Sequence, residues 1–265
     1  MALEKSLAFV LKSYDWSESS RTISFFSRGF GKLSLIDKGG KKLTSKRGRV
    51  VPYAELEVTF YSSKKETSGY ISDVEMLRLF EMSGDGSLGR LAYASAAGEL
   101  LQLLLPKEEP LIDLYDYSVT LLEKLNQSKK QALAALFLTF FLRLLSQLGY
   151  HPSLSYCGGC DKSVESFIKK GAAVRFSPER GGTVCPSCQN PGEYYIGLPY
   201  GGFEKLVALQ TASLTEAEKV TLGFKETSLL LDALVKFLEY QADISSKIKS
   251  LEFLQKLKNA KIMTE

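Results

Sequence analysis

Pro52-Tyr-Ala-Glu-Leu-Glu-Val-Thr-Phe-Tyr-Ser62 alternates in polarity: Leu56, Val58 and Phe60 fall on one side of an extended chain, Glu55, Glu57 and Thr59 on the other. A period of two marks a strand buried on one face. Runs of the same kind occur at Ser6 to Lys12, Arg21 to Ser27, Lys32 to Asp37 and Gly69 to Val74, each short and rich in β-branched or aromatic residues. Five such strands predict a small OB-type barrel over residues 1–80, a fold suited to holding a flexible nucleic-acid strand. SH3-like barrels present the same strand count.

Beyond Glu81 the apolar spacing lengthens to three or four and leucine dominates. Helices are expected over Leu88 to Leu105, Leu111 to Asn126, Lys129 to Leu148, Thr215 to Gln241 and Ile244 to Lys258. Ser128 is the expected N-cap of the third, which stops at Gly149 with Pro152 beyond. The predicted class is therefore α+β: an OB-type domain over 1–80, then a mainly α-helical domain over 81–265 that carries an inserted element at about 153–195.

A chain of 265 residues is long enough for two cored domains at roughly 150 residues each. With 45% hydrophobic and 24% charged residues it has the balance of a folded protein, not of a disordered one. The longest apolar run, Ala132 to Leu142, is broken by Thr139, closed by Arg143 and well short of the ~20 residues that cross a bilayer. The apolar run from Leu7 to Leu11 is too short for a signal-peptide core, so a cytosolic setting with reduced thiols is expected.

Charge is unevenly placed. Residues 1–65 hold thirteen Lys and Arg against six Asp and Glu, although the whole chain carries only +4. Between Arg28 and Arg49 the cations Arg28, Lys32, Lys38, Lys41, Lys42, Lys46, Arg47 and Arg49 meet the single acid Asp37. Such a segment reads either as a solvated basic loop or as a polyanion contact. Its Gly and Ser punctuation lets the backbone follow an irregular phosphate path, and the affinity of such a patch is salt-dependent and indifferent to base sequence. Tyr14, Trp16, Phe25, Phe26, Phe30, Tyr53, Phe60 and Tyr61 lie in or beside the strands. Unpaired bases stack on exposed rings, but most of these are expected in the core, with Phe26 and Phe30 the pair to look for outside.

All four cysteines fall in one arrangement, Cys157-Gly-Gly-Cys160 and Cys185-Pro-Ser-Cys188. Each Cys-x-x-Cys turns two thiolates toward one metal, and two such knuckles complete the tetrahedral shell that Zn²⁺ favours. One structural Zn²⁺ is expected: four thiolates leave no position for an activated water. His151, just ahead of the first knuckle, is expected to face solvent at the end of a helix. Lys162, Lys169, Lys170, Arg175 and Arg180 lie between the knuckles as surface charges or as a second polyanion contact.

Catalytic motifs are scarce. Gly84-Asp-Gly-Ser-Leu-Gly89 fits G-x-G-x-x-G, but no strand is expected to feed it and no βαβ unit follows, so it reads as a linker. There is no G-x-x-x-x-G-K-[ST] loop, and a single histidine supplies hydrolase triads poorly. No enzymatic activity is expected.

Leu7-Ala-Phe-Val-Leu-Lys-Ser-Tyr-Asp15, Ser17-Glu-Ser19, Gly31-Lys32, Leu91-Ala-Tyr-Ala-Ser95 and Leu142-Arg-Leu-Leu-Ser-Gln-Leu-Gly-Tyr150 leading into Cys157 together resemble the RecO family of bacterial DNA repair proteins. The likeness runs from the N-terminus to about Cys188; beyond Gln189 only a helical tail is recognisable. The resemblance implies an OB domain, a helical bundle and an inserted zinc element. It also implies a recombination mediator that binds single- and double-stranded DNA, anneals complementary strands, contacts the C-terminal tail of single-stranded-DNA-binding protein (SSB), and pairs with RecR to load RecA, with no covalent chemistry.

On that footing the metal ligands are Cys157, Cys160, Cys185 and Cys188. The DNA contacts, read from the charge pattern and matching the family in place and kind but not residue by residue, are Arg28, Lys32, Lys38, Lys41, Lys42, Lys46, Arg47 and Arg49, and Arg143 is a candidate for the acidic SSB tail, because a guanidinium forks onto carboxylates. Its competing role is a snorkelling helix residue. The setting is cytoplasmic and nucleoid-associated, without membrane partners. The alternative is an RNA-binding OB and zinc-ribbon factor of translation or ribosome assembly, since the same modules suit structured RNA.

Overall fold

The computed structural model describes residues 2–15, 17–41, 50–63, 66–244 and 248–259. They form two compact units, Met1–Gln127 and Ser128–Glu265.

The first unit opens with β1 (Ala2–Asp15), β2 (Arg21–Ser27), β3 (Gly31–Asp37), β4 (Ala54–Ser63) and β5 (Glu66–Leu79). Their order is β1-β2-β3-β5-β4, and β4 pairs back onto β1 from Ala2↔Ser62 to Ala8↔Leu56, closing a barrel. All pairings are antiparallel except β3 with β5. This is the OB arrangement expected from the five alternating runs. Ile23, Phe25, Leu35, Leu56, Val58, Phe60, Ile71 and Val74 fill the interior, each large apolar side chain contributing roughly 1.5–3 kcal/mol by leaving water.

β5 runs five residues past Val74, where its sequence pattern stops. A register shift against β4 at Glu55/Leu56, which pair with Arg78 and Met76, explains why: the inserted residue resets the in–out alternation.

Two helices complete this unit, α1 (Ser87–Leu104) and α2 (Ile112–Gln127), both within a residue of their expected bounds. The change of period at Glu81 marks where sheet gives way to helix, whereas compactness groups both helices with the barrel. Phe26 does leave the barrel interior, as its place beside Phe25 requires, but it meets Tyr115 of α2 and Phe9 at ring separations of 5.5 and 5.6 Å and is fully buried. Phe30 packs edge-on against Phe60 at 5.3 Å.

Gly86, at φ 77°, caps α1, so the G-x-G-x-x-G stretch is a helix entry. Contrary to expectation a strand does precede it, since β5 reaches Leu79, but the chain continues into α2 and builds no βαβ crossover. Arg90, buried in α1, donates to the carbonyl of Leu125 in the last turn of α2.

The second unit is built on α3 (Leu133–Gln147), apolar on nearly all sides because it is buried on nearly all sides. Its end is a Schellman motif: Gly149, at φ 87°, donates to Ser146, and Tyr150 donates to Leu145. Ser128 does not cap this helix. A 3₁₀ turn at Lys130–Ala132 intervenes, and the Ser128 hydroxyl donates to Glu218 at 2.7 Å.

The polypeptide then forms a small sheet of β6 (Val174–Ser177), β7 (Gly182–Thr183) and β8 (Ile196–Leu198), followed by α4 (Tyr200–Thr211), α5 (Leu214–Ala217), α6 (Phe224–Gln241) and α7 (Lys249–Asn259). The single helix expected over Thr215 to Gln241 is thus two. Ser213 and Glu216 form a capping box on α5, and Glu226 accepts from the Gly223 N–H at the start of α6.

Candidate metal centre and nucleic-acid interface

Backbone bonds shape both cysteine knuckles. Asp161 N–H donates to the Cys157 carbonyl and Cys157 N–H to that of Lys162, while a 3₁₀ turn, Pro186–Cys188, carries the second pair. The two knuckles meet so closely that a Cβ on Gly159 would stand 3.0 Å from Cys188 Cβ and 3.1 Å from its Sγ, and one on Gly158 would stand 2.8 Å from the Arg180 carbonyl. Both glycines of Cys-Gly-Gly-Cys are therefore steric requirements.

The four Sγ atoms lie within 4.8 Å of one another, with Cys160 and Cys185 at 3.8 Å. Tetrahedral metal–sulfur bonds of about 2.3 Å put sulfurs about 3.8 Å apart, so the cluster fits one ion. Burial opposes a thiolate at Cys157, but N–H groups of Cys185, Gly159 and Cys160 outweigh it and bring the thiol down to about 6.

Beside the cluster Arg180 forks onto Glu193 through Nε and Nη2, both at 2.7 Å. Glu193 also accepts from Tyr195 at 2.7 Å and Ser177 at 3.0 Å. Arg180 is thus committed to a carboxylate. Lys162, Lys169, Lys170 and Arg175 are exposed. His151 is exposed too, with Nδ1 3.2 Å from the Ser146 hydroxyl.

The structure separates the basic residues. Arg28, in the β2–β3 turn, forks onto Asp116 of α2 at 2.8 and 3.0 Å. Lys38 and Lys41 follow the far end of β3, roughly 20 Å away along a seven-residue strand. Lys38 Nζ sits 3.9 Å above the ring centroid of Tyr70. Lys41 Nζ is 2.9 Å from Asp15 and 3.3 Å from the Ser17 carbonyl. Lys32 points to α1, donating to the Gln102 carbonyl at 3.0 Å, and burial lowers its pKa, with Lys107 adding to the effect. Lys42, Lys46, Arg47 and Arg49 lie outside the described residues.

Family models described as recombination protein O, N terminal and C terminal, match residues 1–80 and 86–252. The chain belongs to the RecO family. A DNA repair protein RecO of Symbiobacterium thermophilum is 26% identical over 98% of this chain and 100% of its own length. Another from Pelotomaculum thermopropionicum is 27% identical over 98% and 96%. One from Heliobacterium modesticaldum reaches 33% over 72% and 67%.

In this RecO-family chain the Gly31-Lys32 pair has a local explanation. Gly31, at φ 68°, faces the Glu109 backbone so closely that a Cβ would meet its carbonyl oxygen at 2.1 Å, while Lys32 closes α1. Arg143 is exposed on α3. No helix among the described residues is long and apolar enough to cross a membrane.

Of the rings singled out from sequence, Phe25, Phe26 and Phe60 are core and Tyr53 bonds Ser95 through its hydroxyl at 2.6 Å. Tyr14 and Tyr61 are exposed, Tyr14 with Lys12 Nζ 4.7 Å from its ring centroid. Trp16 is outside the described residues. Sequence reading missed Tyr70. The signal that finds it is its position opposite Tyr61 in the register of β5 on β4.

Proposed function

We propose that this chain is a non-enzymatic recombination mediator of DNA repair, which binds single- and double-stranded DNA, anneals complementary strands and helps load RecA onto SSB-coated DNA. The observation that carries this reading is the match to the RecO N- and C-terminal family models along most of its length. The nucleic-acid-binding domain is the barrel region 1–80, and the helical region from 81 serves partner contacts. SSB, through its C-terminal tail, and RecR are the protein partners, in the cytoplasm at the nucleoid.

Two DNA strands repel through their phosphates. Cations that neutralise both while leaving base edges free raise the rate of encounter without consuming a nucleotide. Lys38, Lys41, Lys42, Lys46, Arg47 and Arg49 are assigned that work. The partners of Arg28 and Lys32 set those two apart: Arg28 gives a supporting share once it leaves Asp116 to reach a phosphate, whereas Lys32 holds a helix end and takes no phosphate. Arg143, exposed on α3, is assigned to the acidic SSB tail.

Cys157, Cys160, Cys185 and Cys188 hold one Zn²⁺. When bound, the ion cross-links the two knuckles, and a closed thiolate shell activates no water. The protein's own residues set the knuckle geometry through Gly158, Gly159 and the Arg180–Glu193 pair.

A fluorescence annealing assay with complementary oligonucleotides across a salt series, alongside metal analysis, tests this reading. The expected result is one zinc per chain and a binding constant that falls steeply with salt, by a log–log slope of about 0.9 per phosphate neutralised on duplex and about 0.7 on single strands. Replacing Lys41, Lys42, Lys46 and Arg47 with Ala lowers that slope. Failure to bind either form of DNA at low salt, or a tighter preference for folded RNA, overturns it.

A further inference from the structure

The outer face of the barrel carries a row that the basic segment does not account for. Leu3 of β1 stands opposite Tyr61 of β4, and Tyr61 stands opposite Tyr70 of β5. Directly opposed residues share a face, with Cβ atoms about 5 Å apart. Leu3 and Tyr61 are 58% and 43% exposed, a cost in water for a large apolar side chain and a ring. At the end of the row Lys38 holds its ammonium over Tyr70.

The local backbone is built around this row. Register shifts bracket Tyr61 on both sides, and bulges of this kind re-aim side chains. Gly69 lets β5 pass close to β4, since a Cβ there would stand 2.4 Å from the Tyr61 carbonyl oxygen. Charge along the same face is graded. Asp73 opposes Thr59, and Glu75 opposes Glu57, which already holds Lys5, so acids outnumber cations in the next rows while Lys38 stands at the aromatic one.

We propose that Tyr61, flanked by Leu3, is a stacking platform for an unpaired nucleic-acid base, with Lys38 taking the adjoining phosphate. This assignment rests on the DNA-binding reading above and adds to it a site that selects unpaired over paired strands. A ring face stacks on any base without reading its edges, whereas bases in a duplex are already stacked. The acidic rows beyond turn the phosphates toward Lys38.

The test compares three probes by fluorescence anisotropy at fixed salt: an oligo-dT strand, a duplex of the same length, and an abasic strand of the same length. Tyr61→Ala is expected to weaken oligo-dT binding by roughly 5- to 150-fold, the range for loss of one base–aromatic stack, and to leave duplex and abasic binding unchanged. Tyr61→Trp is expected to restore oligo-dT affinity, with indole emission quenched by oligo-dT and not by the abasic strand. Unchanged oligo-dT binding by Tyr61→Ala, equal losses on all three probes, or no quenching in Tyr61→Trp overturns the platform while leaving DNA binding itself intact. A wild-type protein that binds none of the probes at low salt overturns both readings.

Discussion

Lys32 of β3 caps α1 from outside the helix: its ammonium donates to the carbonyl of Gln102, one of the last four carbonyls of α1, which lack intrahelical partners. α1 has no basic residue of its own in the last turn, so a strand lysine supplies the positive charge that the helix C-terminus favours. Lys32→Met should lower the unfolding free energy by about 1 kcal/mol, the net worth of one hydrogen bond, because burial offsets part of what the charge adds. Urea denaturation measures the loss. The salt slope of DNA binding should stay at its wild-type value, because this ammonium faces a helix.

Gly31 is the neighbouring constraint. A side chain there combines a left-handed backbone with a collision against Glu109. Gly31→Ala should cost more than about 1 kcal/mol, since Ala destabilises where φ is positive. Thermal unfolding of the variant, beside Gly39→Ala as a control with nothing within 4 Å of the added Cβ, isolates the steric share.

Metal removal should act on one element. With a strong chelator, amides of the segment about 153–195 should lose hydrogen-exchange protection, since binding free energy in such sites is folding free energy. The barrel amides should keep theirs. Gly159→Ala, whose Cβ would meet Cys188, should yield the metal to a competing chelator at lower concentration than wild type, read by a colorimetric zinc indicator.

Acid should loosen the start of α6. The Lys205 ammonium, 2.8 Å away, and then the Gly223 N–H hold the Glu226 carboxyl below its ordinary 4.5. A depressed carboxyl contributes its full stability above the unfolded value and loses it as pH falls through the lower folded value. The stability gap between wild type and Glu226→Gln should therefore be constant near neutrality and shrink below about pH 4.5, as thermal melts across that range would record.

The strands and cysteine knuckles were legible because their signals are local. Alternation in Leu56, Val58 and Phe60 reports one buried face, and Cys-x-x-Cys needs only a turn. Phe26 was not legible, since its second buried face is supplied by Tyr115, almost ninety residues on. Separations of 88 and 70 residues hid the partners of Arg28 and Lys32: a cation count cannot register that Asp116 or the Gln102 carbonyl stands opposite. The break before α6 was legible in principle, because Ser213 and Glu216, then Gly223 and Glu226, are capping spacings that a smooth leucine periodicity obscured.

Closure of the barrel has a kinetic consequence. β1 finds its second neighbour only when β4 arrives, some fifty residues later in the sequence, and β3 must wait for β5, with which it pairs in parallel. A nascent chain released before Leu79 exposes unpaired strand edges, and assembly of such distant partners is slow for entropic reasons. During synthesis, then, the front of this protein depends on residues still inside the ribosome, and truncations short of β5 should aggregate where longer ones fold.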